Sequence, residues 1–324
     1  MCSRSIFLFV VPFGIIIREE DGMELLLKDI AKVANAQIEI NSVTVIAGYN
    51  GSGKTTISKA LYSLLEASSS ESADPEKVAK ALYDSYQGQI ITTLDADDSL
   101  LMLRDGKDNI TLNLDKNGLS ISSFAPIGAH YNKLYFKAPS RWIDSFSTTL
   151  FKSLEKPPLK AETELSKRYR ALLEEYAKGA IVDVGGKLYY KDFDFPTLLI
   201  ELSNTSSGEE ILTELGRLFL NGSITENSII IIDEPETNLH PGKQVALARI
   251  IASLSIEFGI RFLLSSHNIY FIRALEVAFA EEEEENHKFY LMKRDDNSPL
   301  FSSVDVTDSI EEIYHELYAP MENL

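Results

Sequence analysis

Gly48-Tyr49-Asn50-Gly51-Ser52-Gly53-Lys54-Thr55 has the spacing of a phosphate-cradling loop: a glycine, four residues, then Gly-Lys-Thr. Its neighbours in sequence are the required ones. A β-branched run over residues 43–46 precedes it, and a helical apolar pattern over 55–66 follows. Glycines let the backbone curl so that successive N–H groups face one anion. The start of the helix adds partial positive charge. In such a loop Lys54 reaches the β- and γ-phosphates of a nucleotide, the Thr55 hydroxyl ligates Mg²⁺, and the stretch through Thr56 lines the phosphates.

Three further groups lie downstream. Four isoleucines, 229–232, lead into Asp233-Glu234-Pro235-Glu236. An aliphatic run of this kind reads as a central parallel strand that delivers Asp233 to the carboxyl edge of a sheet, where ligands bind. There Asp233 is placed to hold Mg²⁺, and Glu234 to accept a proton from an attacking water. Ser206-Ser207-Gly208-Glu209-Glu210 opens a helix 25 residues before Asp233, counted from Gly208. Taken locally it is a capping box, Ser206 with Glu209 or Ser207 with Glu210. Leu263-Leu264-Ser265-Ser266-His267 reads as a strand ending in a histidine, 33 residues after Glu234. A lone histidine after a strand is commonly structural; on the edge that carries the Mg²⁺ group, its imidazole can hydrogen-bond a γ-phosphate.

The order of these four groups resembles the ABC-type ATPase superfamily: phosphate loop, signature, Asp-Glu strand end, switch histidine. The resemblance implies a P-loop head that uses ATP and Mg²⁺. In that superfamily two heads enclose two ATP molecules, so Ser206, Ser207, Gly208 and Glu209 are expected to meet nucleotide held by the opposite copy. An ATP-dependent homodimer then belongs to the mechanism, with residues 237–240 at its interface. Within the superfamily, Asp233 to Pro241 (DEPETNLHP) and the opening over residues 27–48 look like the AAA-annotated SMC/RecF-like and overcoming-lysogenization-defect group rather than transporters. Ser207 also stands where transporters usually carry glycine. The resemblance covers roughly residues 24–273. Two of its elements have no counterpart here: the glutamine after the third core strand and an aromatic platform for adenine, for which Tyr49 is the nearest candidate.

The remaining pattern fits an α/β head with a mostly parallel central sheet, an antiparallel β-subdomain and a helical lobe. Strands are expected at 24–27, 36–40 and 43–46. Asp74-Pro75 starts a helix that runs to about 86. Alternating runs at 90–94, 99–104, 109–114 and 119–124, separated by turn residues, read as an antiparallel meander, and 133–137 as one more strand. The resulting organisation is an extension over 1–22 and one domain over 23–324. The domain comprises a meander (89–137), a helical lobe with a hairpin (139–205), and the half bearing signature, acidic strand end and histidine (206–324).

Composition limits the rest. The 324 residues are 44% apolar and carry a net charge of −18 from 31 basic and 49 acidic residues, which argues against a protein whose main work is coating DNA. A single cysteine, Cys2, excludes an intrachain disulfide framework or a cysteine metal site and suits a reducing cytoplasm. Residues 6–17 are apolar but too short to span a bilayer, which takes about 20 residues. No small-residue cleavage site follows them. They are expected to add a strand or hairpin, or to precede a natural start at Met23, the reading favoured here. The leading functional expectation is an ATP-driven conformational switch working with DNA or with a partner effector, in a bacterial defence or repair type of system. A transporter nucleotide-binding subunit and a non-hydrolysing ATP-gated scaffold are the alternatives.

Overall fold

The computed structural model describes residues 9–10, 16–17, 22–72, 74–86, 98–115, 118–137, 145–185, 187–194, 197, 199–201, 210–282 and 286–319. Two-residue strands β1 (Phe9–Val10) and β2 (Ile16–Ile17) pair antiparallel within the apolar leader. The main architecture begins with the hairpin of β3 (Met23–Ile30) and β4 (Val33–Ile40). Next comes β5 (Val43–Ala47), buried at every position, which runs into the glycine-rich loop and α1 (Lys54–Ala67). Helix α2 (Pro75–Ser85) starts as its sequence dictates: Asp74 accepts hydrogen bonds from the Glu76 and Lys77 N–H groups, and proline stands at the first position.

Strands β6 (Ser99–Asp105), β7 (Asp108–Asp115) and β8 (Gly118–Ser123) form the meander, and β6 also pairs antiparallel with β3. The run at 90–94 lies outside the described residues. Strand β9 (Asn132–Lys137) leaves the meander and pairs parallel with β13 at the far edge of the sheet. The reason is in its side chains. Leu134, Tyr135 and Phe136 are consecutive and all buried, which requires cover on both faces rather than the one-sided burial of a meander strand.

Helices α3 (Ser145–Leu154) and α4 (Glu164–Tyr176) follow, then a separate three-stranded antiparallel sheet of β10 (Gly179–Val184), β11 (Lys187–Asp192) and β12 (Leu199–Glu201). The second half comprises α5 (Glu210–Leu220), β13 (Ser228–Asp233), α6 (Pro241–Phe258), β14 (Arg261–Ser266), α7 (Ile269–Glu281), β15 (His287–Arg294), β16 (Phe301–Asp305) and α8 (Glu311–Tyr318). Among the described residues no helix is long and apolar enough to cross a membrane.

One sheet runs through the molecule in the order β8-β7-β6-β3-β4-β16-β15-β5-β14-β13-β9. From β15 to β9 all neighbours are parallel; from β8 to β4 all are antiparallel; β16 joins the halves. The period of two along each strand divides the core. Ile230 and Ile232 of β13, with Phe262 and Leu264 of β14, face the layer of α4, α5, α6 and α7. Ile229, Ile231 and Leu263 face α1, α2 and the antiparallel half. Lys243 anchors the small sheet to α6, with hydrogen bonds to Ala177 O (2.6 Å), Tyr190 OH (3.1 Å) and Asp192 Oδ2 (3.1 Å).

The end of α1 shows how tightly the second layer is built. Gly128 stands where an added Cβ would lie 1.7 Å from the Leu65 carbonyl oxygen, and its N–H bonds Ser68 Oγ at 3.0 Å. Gly106 has φ +57° but open space around it. Gly128→Ala therefore has to displace backbone and is expected to cost at least about 3 kcal/mol, at or above the top of the overpacking range. Gly106→Ala bears only the left-handed penalty, about 1 kcal/mol. Urea midpoints of the two variants, compared with the unmodified chain, check that order.

Candidate functional site

Three neighbouring parallel strands, β5, β14 and β13, end at one edge of the sheet. β5 delivers the glycine-rich loop, β13 ends in Asp233, and β14 ends at Ser266 beside His267. The sequence separates these groups by nearly two hundred residues; parallel pairing with short carboxyl-end loops brings them together.

Glycine is required at two loop positions. Gly53 caps α1 with φ +97°, and a Cβ there would stand 2.7 Å from Val33 Cγ2. Gly48 has φ +152°, and a Cβ would meet Ser52 Oγ at 2.8 Å and Met292 Cβ at 3.0 Å. The Lys54 ammonium curls back into the loop and donates to Gly48 O (2.7 Å) and Tyr49 O (2.8 Å). Burial pushes its pKa down, while the carboxylates of Glu234, Asp233 and Glu236 push the other way. Ser52 is buried, and its hydroxyl has no hydrogen-bond partner among the described residues. Asn50 and Gly51 are exposed at the crest; Thr56 lends its carbonyl to Tyr86 OH at 3.1 Å. Tyr49 donates its phenol to the Glu316 carbonyl of α8, which ties the adenine-platform candidate to the C-terminal helix.

Thr55 Oγ1 donates to Asp233 Oδ2 at 2.7 Å, so the two expected Mg²⁺ ligands already face each other across the sheet edge. Asp233 is buried, and its other oxygen accepts from Ser265 Oγ. Glu234 takes a left-handed backbone, φ +56°, with its N–H bonded to Ser265 O at 2.9 Å. That conformation costs roughly 1–3 kcal/mol in a non-glycine residue and is held here by the surrounding bonds. It turns the side chain to His267, whose Nδ1 lies 3.2 Å from Glu234 Oε1. His267 holds the Glu234 carboxyl below its ordinary range, and Glu234 holds the imidazole above its own. Glu236, 4% exposed, accepts from Ser266 Oγ at 2.6 Å, and burial raises its pKa. His240 caps α6, its Nδ1 accepting from Gly242 N–H at 3.2 Å.

The structure thus brings Lys54, Thr55, Asp233, Glu234 and His267 together. Ser206, Ser207, Gly208 and Glu209 lie outside the described residues. Four residues escaped the sequence reading. Ser265 and Ser266 bind the acidic residues opposite; two serines directly after the apolar run Phe262-Leu263-Leu264 were the available signal. Glu236 was quoted in its motif without a role. Lys32, at the β3–β4 turn, has its ammonium 3.4 Å from where a Gly51 Cβ would stand, a closeness only the tertiary fold reveals. A buried orphan hydroxyl, a glycine cradle and carboxylates in excess over one lysine fit a nucleotide with Mg²⁺.

The His267–Glu234 pair sets a pH response. Its stabilising contribution is lost as pH rises through the raised His267 value or falls through the lowered Glu234 value, and both groups are partly exposed, so it is screened. In nucleotide-free protein the His267 imidazole is expected to titrate above the ordinary value of about 6.5. Glu234→Gln, which removes the carboxylate, brings it back toward that value. NMR titration of the five histidines, with His267 assigned by substitution, measures the shift.

A family model described as the AAA ATPase domain matches residues 210–272, which hold α5, the Asp233–Glu236 turn and His267. No curated protein sequence matches the chain. The structure is similar to the SMC head domain from Thermotoga maritima, with TM-score 0.53 and 15% identity over 87% of this chain and 98% of that one. An SMC head bound to the C-winged-helix domain of ScpA gives TM-score 0.57 and 14% identity over 89% and 98%. An SMC head with an extended coiled coil, bound to the C-terminal domain of ScpA derived from Pyrococcus furiosus, gives 0.53 and 13% over 91% and 98%. The chain has the fold of an SMC head domain, and its residues 210–272 match the AAA ATPase domain.

Proposed function

We propose that this protein binds and hydrolyses ATP with Mg²⁺ between two copies of itself, and that the cycle works as a conformational switch on DNA or on a partner effector. The observation that carries the reading is the pairing of Thr55 with Asp233 beside a base and histidine on the adjoining strand ends. Lys54 and the loop N–H groups neutralise the β- and γ-phosphates. Thr55 and Asp233 would hold Mg²⁺, which when bound would neutralise negative charge developing on the phosphates. Glu234 takes the proton of the attacking water as the water oxygen bonds to the γ-phosphorus and the β–γ bridge breaks toward ADP. His267 exchanges its bond to Glu234 for one to the γ-phosphate, which frees the base. Ser206 and Gly208 of the opposite copy complete the site, with residues 237–240 at the same interface.

Two of the similar SMC heads are bound to ScpA domains, and a protein docking on this head is proposed in the same sense, with the effector chemistry residing in that partner. The cytoplasm is the proposed location, consistent with the one cysteine. A bacterial defence or repair system is the proposed setting.

Size-exclusion chromatography with light scattering, run with ATP and Mg²⁺, tests the switch. Glu234→Gln is expected to accumulate as a dimer and to lose at least a hundredfold in kcat, the scale of a missing general base. Lys54→Ala is expected to remain monomeric with no measurable ATP binding. A Glu234→Gln protein that stays monomeric at saturating ATP overturns the two-copy reading.

A further inference from the structure

Glu236 is harder to explain by stability than any other charged group near the site. It is 4% exposed, and one of its oxygens, Oε2, has no hydrogen-bond partner among the described residues. The other, Oε1, accepts from the Ser266 hydroxyl at 2.6 Å. One neutral hydroxyl is poor compensation for a buried carboxyl group, and a well-packed apolar side chain of similar size is often neutral or stabilising at such a place.

The bond lies in a position that matters for the chemistry. Ser266 Oγ donates to Glu236 and accepts from the Asn268 N–H at 3.0 Å. Asn268 in turn caps α7, accepting from the N–H groups of Tyr270 (2.9 Å) and Phe271 (3.2 Å). His267 stands between Ser266 and Asn268, so the turn that carries the imidazole is clamped on both sides. On the other strand, the turn that carries Glu236 also carries Glu234, and it is closed by Thr237 N–H to Glu234 O (3.1 Å) and Leu239 N–H to Glu236 O (3.0 Å).

We infer that Glu236 is a positioning residue for hydrolysis: through Ser266 it fixes the turn bearing His267 relative to Glu234, and so sets how readily the imidazole leaves the base for the nucleotide. The inference rests on the proposed ATPase reading. It assigns no contact between Glu236 and ATP, so its removal acts on turnover and not on nucleotide affinity.

The test is steady-state ATPase kinetics of the full chain with Glu236→Leu, Glu236→Gln and Ser266→Ala, alongside Glu234→Gln and thermal melting of each. Glu236→Leu is expected to lower kcat at least tenfold, with KM for ATP within twofold and Tm no lower than the parent. Glu236→Gln keeps an oxygen acceptor for Ser266 and is expected to recover at least a third of the parental kcat. Ser266→Ala removes the donor without touching the acidic turn, so it reports even if Glu236→Leu fails to fold. It is expected to resemble Glu236→Leu, and the double variant to be no slower than either single one. Retention of kcat in Glu236→Leu or in Ser266→Ala overturns the assignment. So does a loss in Glu236→Gln equal to that in Glu236→Leu, or a loss that tracks a fall in Tm. If the parent turns over ATP no faster than Glu234→Gln, the ATPase reading itself fails and this assignment falls with it; activity lost in Glu234→Gln alone overturns only the role of Glu236.

Discussion

The site is organised around one buried ammonium facing three carboxyl groups. Lys54 is 5% exposed, and Asp233, Glu234 and Glu236 all act on it through space. A lone charge at this depth is expensive, and the two loop carbonyls that accept from it lower the cost without cancelling the negative excess opposite. That excess, to which Glu234 and Asp233 contribute most, favours a ligand that brings a cation. A bare polyphosphate meets carboxylates at the sheet edge and a chain of net charge −18 around them. Under the proposed function, a phosphate that arrives with a divalent cation would answer both, the anion held by Lys54 and the loop N–H groups and the cation by Thr55 and Asp233. Glu234 also rests on His267, a second group beside it able to carry positive charge.

The turn after β13 is built under strain that serves this arrangement. Glu234 at φ +56° and Asn238 at φ +63° both occupy the left-handed region, and Pro235 lies between them. A relaxed extended path would carry the chain past the edge of the sheet. The two reversals bring Glu234 and Glu236 back over the tip of β14, where Ser265, Ser266 and His267 each bond one of the three acidic residues. The fold tolerates the strain because β13 and β14 are buried and pinned in register along five residue pairs. It is the strands, not the turn, that supply the stability.

Most of this was legible in the sequence for a physical reason. Phosphate binding and metal ligation demand fixed residue types at fixed offsets from strand and helix ends, so Gly48 to Thr55 and Asp233-Glu234 announce themselves. Buried parallel strands announce themselves too, as the uninterrupted isoleucines of β13 do. The antiparallel half was readable from its turns. What escaped depends on which strands become neighbours. Nothing local in Asn132–Lys137 says that it pairs with β13 rather than with the meander, except that three consecutive side chains need burial on both faces. Glu236 carries no role in its motif by sequence, since its bond partner Ser266 is brought to it by β14. Lys32 is an ordinary turn lysine until the hairpin is folded over the loop.

The loop itself has contacts that bear on how a signal could leave it. Each of its structural positions touches a different part of the chain: Gly53 packs against Val33 of β4, Gly48 against Met292 of β15, Gly51 beneath Lys32, and Tyr49 holds the α8 backbone. Glycines at Gly48 and Gly53 are thus required twice over, once for φ and once because no space remains for a side chain. The consequence is mechanical. A loop packed this closely at Gly48 and Gly53 cannot change its path there on its own. Any change in its path must be shared with the β3–β4 hairpin, with β15 or with the C-terminal helix. Interiors packed to this density shift as units rather than deform gradually. The antiparallel half and the C-terminal helix are therefore the parts of the chain to which a change in the loop's path would pass, both remote in sequence from the acidic strand end.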